Sequence, residues 1–430
     1  MHSLPLPLTR DVVLIGGGHS HALMLRAWGM DPLPGARLTV INPSATAPYT
    51  GMLPGFVAGH YGRDDLEIDL VRLARFAGAR MIFGWATGID RDNKMVHIDG
   101  HAPVAYDIAS LDIGITSAMH ELSGFVEHGI AAKPLGPYSV RWSRHLETGG
   151  GPVAVIGGGI AGVELALAMR HAMGADHAVS VVEAQSALAG VGAASRDLLL
   201  SEMTEQNINL IENAKVARVE ADHIVLEDER NVPSELTVGA AGARPFLWLE
   251  DIGLDLTNGF VTVDETLTSH NDPNIFAVGD CAHLSKSPRP KAGVFAVRAA
   301  PILLDNIQAR LTGGALRPFK PQSQYLKLVS LGRKSALADK WGRAIHGDWV
   351  WRWKDHIDQT FMQKLDNLPT MKRAALPSKH ADGMEAALGP KPLCGGCGSK
   401  VGASVLNDVL RDLPAHTRDD ISLTAGDDAA

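Results

Sequence analysis

Cysteine is nearly absent from this sequence: three in 430 residues, at Cys281, Cys394 and Cys397. Three cysteines build no disulfide framework, so a reducing cytoplasm is the expected compartment. A basic excess is lacking too. The formal net charge is −8 and no basic stripe offsets it, which argues against a nucleic-acid partner. No run approaches the ~20 apolar residues needed to cross a bilayer. The opening MHSLPLPLTR has neither the basic start nor the long apolar core of a signal peptide. With 45% hydrophobic and 20% charged residues, the composition is that of a soluble globular protein long enough for two to four domains. Glycine is plentiful instead, with 45 residues that fall at strand–helix junctions and not in repeats.

The first such junction is DVVLIGGGHSH, residues 11–21. Val12-Val13-Leu14-Ile15 reads as a buried parallel strand, Gly16-Gly17-Gly18 as the turn, and ALMLR as the helix that follows. A strand that stops on glycines and turns into a helix lets the backbone approach a pyrophosphate, which the helix N-terminus then attracts. Two features depart from the dinucleotide fingerprint. His21 stands where G-x-G-x-x-G wants its third glycine, and Asn42 ends the next strand, ARLTVIN, where an acid is usual. Pro48-Tyr49-Thr50-Gly51-Met52-Leu53-Pro54-Gly55 then reads as a rigid loop, either a surface turn or the wall of a cofactor ring. Residues 81–112 alternate short strands and turns, a meander that precedes re-entry into the sheet near Tyr106.

A second junction, GGGPVAVIGGGIAGVELA, is complete: the strand Val153-Ala154-Val155-Ile156, then Gly157-x-Gly159-x-x-Gly162, then helix. About twenty residues on, VSVVE is an apolar strand ending in Glu183. A carboxylate there accepts from a ribose 2′-OH and repels a 2′-phosphate, which favours NADH over NADPH. Further on, NIFAVGDCA is an apolar strand closing on Gly279-Asp280, where ligands of parallel sheets sit. The run GVFAVRAAPILLDN reads as a helix whose N-terminus faces the cofactor.

Residues 325–340 read as a hairpin. Trp341, Trp349, Trp351 and Trp353 follow, half of the eight tryptophans, interleaved with Lys340, Arg343, Arg352 and Lys354. This pattern suits a helix at a membrane surface, although a stripe of tryptophans more often packs on another domain. Residues 376–392 read as a linker. Beyond it stand Cys394-Gly-Gly-Cys397-Gly-Ser399-Lys400, an amphipathic segment at 403–413, and a Gly-Asp-Asp end at 426–428. No second Cys or His pair follows at ligand spacing, so a complete zinc site is not expected.

Two glycine loops and the Gly279-Asp280 strand, in this order, resemble the two-dinucleotide-fold flavoprotein reductases. GGGHSHALMLR, PYTGMLPGFVAGHY, GGGIAGVELA, NIFAVGDCA and GVFAVRAAPILLDNI are similar to the NADH dehydrogenase-like, pyridine nucleotide-disulfide oxidoreductase family over about residues 10–370. The resemblance implies an α/β fold of two Rossmann-like domains, with the NAD domain inserted into the FAD domain, a C-terminal α+β region and a short tail. The expected boundaries are 1–115 and 269–310 for FAD, 116–268 for NADH, and 311–375 for the C-terminal interface region. It implies FAD held by Gly16, Gly17, Gly18, His19, Asn42, Pro48, Gly279 and Asp280, and NADH held by Gly157, Gly159, Gly162 and Glu183. Glu164 matches a glutamate that such dehydrogenases place near the nicotinamide; as a first-turn acid it is equally accounted for by the helix dipole. No cysteine precedes Cys281, so neither dithiol nor persulfide chemistry at the flavin is expected.

The segment 393–430 is similar to the beginning of selenophosphate synthetase (selenide, water dikinase). That resemblance makes Cys397 and Lys400 activity residues and Asp428 a magnesium ligand, with Mg2+ and ATP expected only alongside the remainder of such a synthetase. The implied function is hydride transfer from NADH to flavin and on to a quinone or a selenium species, in a homodimer or a peripheral membrane protein contacting lipid through residues 341–354. The alternative is a flavin-binding module without catalysis that senses redox state or docks a partner, a reading favoured by His21 and Asn42.

Overall fold

The computed structural model describes residues 7–340 and 342–370, together with Lys379 and Asp382. The chain divides into two compact units, Met1–Asn367 and Leu368–Ala430, and the fold below is that of the first. Trp341, the linker apart from Lys379 and Asp382, and the segment 393–430 with Cys397, Lys400 and Asp428 lie outside the described residues.

One topology occurs twice. In the first half, the strand Arg10–Ile15 leads into the helix His19–Met30, the strand Ala36–Asn42, the helix Leu70–Ala77 and the strand Arg80–Phe83. A three-stranded antiparallel meander follows (Ala86–Asp90, Met95–Ile98, His101–Ala105), and then the strand Ile108–Leu111. In the second half, Val153–Ile156, the helix Ile160–Met173, Val179–Val182, the helix Ala193–Glu205 and Ile208–Ile211 repeat the series. The meander Val216–Val219, His223–Leu226, Asn231–Pro233 and the strand Leu236–Gly239 complete it.

Parallel pairing follows from the residues. Val12, Val13, Leu14 and Ile15 are essentially unexposed, as a strand covered on both faces must be. In the first sheet Arg10–Ile15 lies between Ile108–Leu111 and Ala36–Asn42, with Asp272–Ala277 outside the former and Arg80–Phe83 outside the latter, all parallel. Strands from Leu256 onward extend this nine-stranded sheet, so the chain returns to it before residue 269. The second sheet has the order Gly129–Ala131, Leu236–Gly239, Val153–Ile156, Val179–Val182, Ile208–Ile211, again all parallel. The fold is therefore α/β with two Rossmann-like sheets.

Local signals set the helix ends. Asp69 caps Leu70–Ala77 by accepting from the Arg72 N–H at 2.8 Å, and Gly78 closes it at φ +63°. The helix His19–Met30 runs close enough to Leu70–Ala77 that a Cβ on Gly29 would stand 2.4 Å from the Phe76 ring.

The hairpin Lys327–Leu331 and Arg333–Lys340, extended by Arg343–Gly347, leads into the C-terminal helix Asp348–Asp366. At its turn Gly332 presses on the Leu167 carbonyl, where a Cβ would come within 2.1 Å. The tryptophan-rich segment therefore has two faces. Trp351 is half-buried, edge-on to the His60 ring at 5.7 Å, with the Lys334 ammonium over its own ring. Lys354, expected among the surface cations, is buried: it donates to Asp358 at 2.6 Å and to the Gly51 carbonyl at 2.8 Å. Trp349, Trp353 and Ile357 are exposed. Among the described residues no helix is long and apolar enough to cross a membrane.

Candidate active site

The first loop sits at the carboxyl edge of the first sheet. Gly16 takes φ +90°, and a Cβ there would meet the Asp112 carbonyl at 2.4 Å, so only glycine fits. The Gly17 N–H donates to Asn42 Oδ1 at 2.9 Å, and Asn42 Nδ2 donates to the Ser44 carbonyl at 2.7 Å. Asn42, in the place of the usual acid, thus braces the loop with both ends of its amide. His21 replaces the missing glycine in the same spirit. Its buried ring bridges the Gly16 carbonyl (Nδ1, 2.6 Å) and Ser110 Oγ (Nε2, 2.8 Å), tying the loop to the central strand. Burial pushes its pKa down to about 4, so the ring is neutral at physiological pH.

The second loop obeys the fingerprint for a visible reason. A Cβ on Gly162 would stand 1.9 Å from the Gly157 carbonyl, the oxygen corresponding to the one that His21 bonds in the first loop. Gly157 itself takes φ +114°. The Gly158 N–H donates to Glu183 Oε2 at 2.7 Å, and Glu183 Oε1 accepts from the Gln185 N–H at 2.9 Å. Nothing lies within 4 Å of where a Gly159 Cβ would be, so the helix Ile160–Met173 starts at open space. Its N-cap has no side-chain partner, and the first turn carries no acid. An N-terminus of this kind suits an anion.

Around the first loop, Gly18, His19, Pro48, Gly279 and Asp280 converge. The His19 ring bonds the Pro48 backbone and lies beside Asp280 and Lys133, and burial pushes its pKa down to about 4. Lys133 stands 3.9 Å from Asp280. The helix Gly293–Thr312, also without a side-chain N-cap or first-turn acid, begins against His19: a Gly293 Cβ would meet its Nδ1 at 3.4 Å. Tyr49 and Phe361 stack at 4.6 Å, with His19 5.3 Å from Tyr49 and 5.8 Å from Phe361. These glycine cradles and uncapped helix starts fit two dinucleotides.

Glu164 is not a first-turn acid: it is the fifth residue of the helix Ile160–Met173, in its second turn. Its Oε1 accepts from the Ser330 N–H of the hairpin at 2.6 Å. Burial raises its pKa to about 7, against the pull of Lys354 and with Asp358 adding to the rise. Burial likewise pushes the Asp358 carboxyl up, although Lys354 and the Tyr49 hydroxyl bond it; the latter donates at 2.9 Å. Cys281 is buried, and burial lifts its thiol to about 12, which leaves it inert.

Four residues escape a reading by motif: Asp112, Lys133, Lys354 and Asp358. Asp112 is a lone acid closing a central apolar strand, and Lys354 and Asp358 are an i, i+4 pair within an otherwise amphipathic helix; those were the available signals. Nothing in the sequence marks Lys133.

Residues 10–300 match the pyridine nucleotide-disulphide oxidoreductase family. The NADH dehydrogenase-like protein YutJ of Bacillus subtilis (strain 168) is 22% identical over 363 residues, 81% of this chain and 99% of that protein. The type II NADH:quinone oxidoreductase of Haemophilus influenzae is 29% identical over 208 residues, 43% of this chain and 46% of that one. Among solved structures, the sulfide:quinone oxidoreductase of Aquifex aeolicus superimposes with a TM-score of 0.70 at 20% identity, covering 84% of this chain and 92% of that one. NDH2 from Plasmodium falciparum in complex with NADH gives 0.70 at 15% identity, covering 84% and 100%. The structural likeness concerns the fold, and the family match concerns the chain itself: it belongs to the pyridine nucleotide-disulphide oxidoreductase family and is an oxidoreductase.

Proposed function

We propose that the chain is an FAD-dependent NADH dehydrogenase that passes electrons to a quinone. In this reading residues 1–115 and 269–310, with the strands from Leu256 that join their sheet, hold FAD, and the second sheet, within 116–255, holds NADH. The observation that carries it is the repetition within one chain of a glycine loop, a helix whose N-cap residue is itself a glycine without a side chain, and a polar side chain on the second glycine's N–H. The first loop is assigned to FAD because Asp280 and the start of Gly293–Thr312 face it. The second is assigned to NADH because Glu183 is the acid suited to a ribose 2′-OH. His21 and Asn42, the departures that would favour a module without catalysis, are both accounted for as braces of the loop.

When bound, FAD supplies the hydride-accepting ring and NADH the hydride. The chain's own residues orient and exclude. Gly16 and Gly18 let the loop close on Asp112, whose carbonyl and carboxylate occupy the space of their missing Cβ atoms, Asp280 offers an acceptor for ribitol hydroxyls, and Tyr49 and Phe361 wall the ring side. Glu164 is assigned the nicotinamide side, and with burial raising its pKa to about 7 it can hold a proton there. Enforced proximity accounts for most of the acceleration in such a transfer.

A quinone is favoured as acceptor by the names of several relatives and by the exposed Trp349, Trp353 and Ile357, which give a lipid surface something to bind. A selenium species is the second acceptor class. It rests on the sequence of 393–430, with Cys397, Lys400 and Asp428 in the roles stated above, and on that alone.

The test is spectroscopic. Purified protein is expected to be yellow, to bleach anaerobically with NADH, and to regain its colour with a short-chain quinone. Selenite in place of quinone examines the second class. A protein that binds FAD and resists bleaching by NADH would refute the proposal.

A further inference from the structure

One of the buried differences between the two halves of the molecule is an acid. Asp112 follows the strand Ile108–Leu111 of the first sheet, and Ala240 follows Leu236–Gly239 at the matching place in the second. Each donates its backbone N–H to the last residue of its loop's own strand, Asp112 to Ile15 and Ala240 to Ile156, both at 2.9 Å. Past that bond they part. The Asp112 carboxylate turns into the first loop, where Oδ2 accepts from the Ser20 N–H at 2.8 Å and the His21 N–H at 3.2 Å. It fills the space that a Cβ on Gly18 or Gly279 would need, 2.3 and 2.4 Å away. The residue is 4% exposed.

The first helix therefore begins on an acid from its own protein, whereas the second begins on open space. A helix N-terminus attracts a pyrophosphate. A buried carboxylate already seated on two of its N–H groups repels the same charge unless it takes a proton. Resting on the reading that the first loop holds FAD, we propose that Asp112 couples FAD loading to the uptake of a proton, and that the loaded protein carries Asp112 as a neutral acid.

The surroundings agree. Burial is the largest influence on Asp112 and raises its pKa to about 7, with Asp280 adding to the rise and the two helix N–H groups opposing it. From the first helix, His19 and His21 face this region, both neutral above about pH 4. From the segment after Asp272–Ala277 come Asp280, whose cationic neighbour is Lys133, and Cys281, a neutral thiol whose pKa also feels Asp112. Lys291, ahead of the helix Gly293–Thr312, acts on Cys281 and Asp280. No cation bonds the Asp112 carboxylate among the described residues.

The sign follows. A dinucleotide that raises the pKa of Asp112 binds best to the protonated form, so affinity is level well below pH 7 and falls above it, by up to about tenfold per pH unit. FAD is titrated into flavin-free full-length protein between pH 6 and 8.5, with calorimetry in two buffers of different ionisation heat. The expected result is a Kd that rises about tenfold across the upper half of that range, with uptake approaching one proton per FAD near pH 8. Asp112→Asn should bind FAD with a level pH profile and no uptake. NAD+ binding at the loop backed by Ala240 should take up none in either protein.

A level profile in the unsubstituted protein, or uptake that persists in Asp112→Asn, would overturn the proposal. Should that variant not fold, difference infrared spectroscopy of FAD loading at pH 8 decides on the unsubstituted protein. A protonated carboxyl stretch must appear, and its absence overturns the proposal. Failure to bind FAD at any pH would instead overturn the assignment of the loop, a result distinct from FAD binding without a proton.

Discussion

Glu183 and Asn42 hold the same place in their loops, each accepting from the second glycine's N–H twenty-five residues upstream, and they differ by one charge. On the proposed function that charge selects the ribose of NADH. Glu183→Ala should therefore raise the KM for NADH while FAD stays bound. A lost hydrogen bond to a charged acceptor costs about 1.5–3 kcal/mol, roughly ten- to a hundredfold in affinity. Steady-state kinetics with the flavin content measured alongside checks it, and an unchanged KM counts against the assignment. At this scale the glycines were legible because their reason is local: a turn, a positive φ, a helix start. His21 and Asn42 read as defects in the motif, since the groups they bond, Ser110 for one, arrive from other parts of the chain. Asp112 was silent for the same reason: its partners Ser20 and His21 lie about ninety residues upstream.

Elements that alternate in a fixed order announced themselves, and the βαβ units stand where the apolar runs put them; the first meander is shorter than its run, since Arg80–Phe83 pairs in the parallel sheet. The helix Asp348–Asp366 was harder, because tryptophans and cations at helical spacing fit a membrane face as well as the commoner packed one. It has both. Lys354 and Asp358 point inward as a buried pair, 11% and 7% exposed at the side chain, and join the helix to Gly51 and Tyr49 of the N-terminal loop. Burying such a pair contributes little net stability, but removing one partner strands the other's charge, at a cost of about 3–5 kcal/mol. Lys354→Met should thus lower the unfolding free energy by about that much. The double variant Lys354→Met, Asp358→Leu should recover most of the loss. Denaturant unfolding of the single and double variants is the measurement. Equal destabilisation by both would mean that packing, and not the stranded carboxylate, holds the helix in place.

The sequence is acidic, with a net charge of −8, and among the described residues twelve large apolar side chains are exposed. Trp349, Trp353 and Ile357 are among them, at 52%, 40% and 39% exposure, and they fall four residues apart along one line of the C-terminal helix. A stripe of that spacing lies on one helix face. The same helix carries Phe361, stacked on Tyr49 at the proposed ring pocket, so a surface that engages the stripe is mechanically continuous with the site. If the acceptor is a quinone dissolved in lipid, the stripe is what brings the enzyme to it. Replacing Trp349 and Trp353 by glutamate removes two apolar side chains, each worth about 1.5–3 kcal/mol when buried, and places charges against lipid. Affinity for liposomes should fall a hundredfold or more on that basis. NADH oxidation with a long-chain quinone in those liposomes should fall with it, while oxidation with a water-soluble quinone stays within about twofold, since neither tryptophan belongs to the ring pocket. Co-sedimentation and the two assays together decide the matter: equal loss with both quinones would place the fault in the site, and no loss with either would assign the stripe to a protein partner instead.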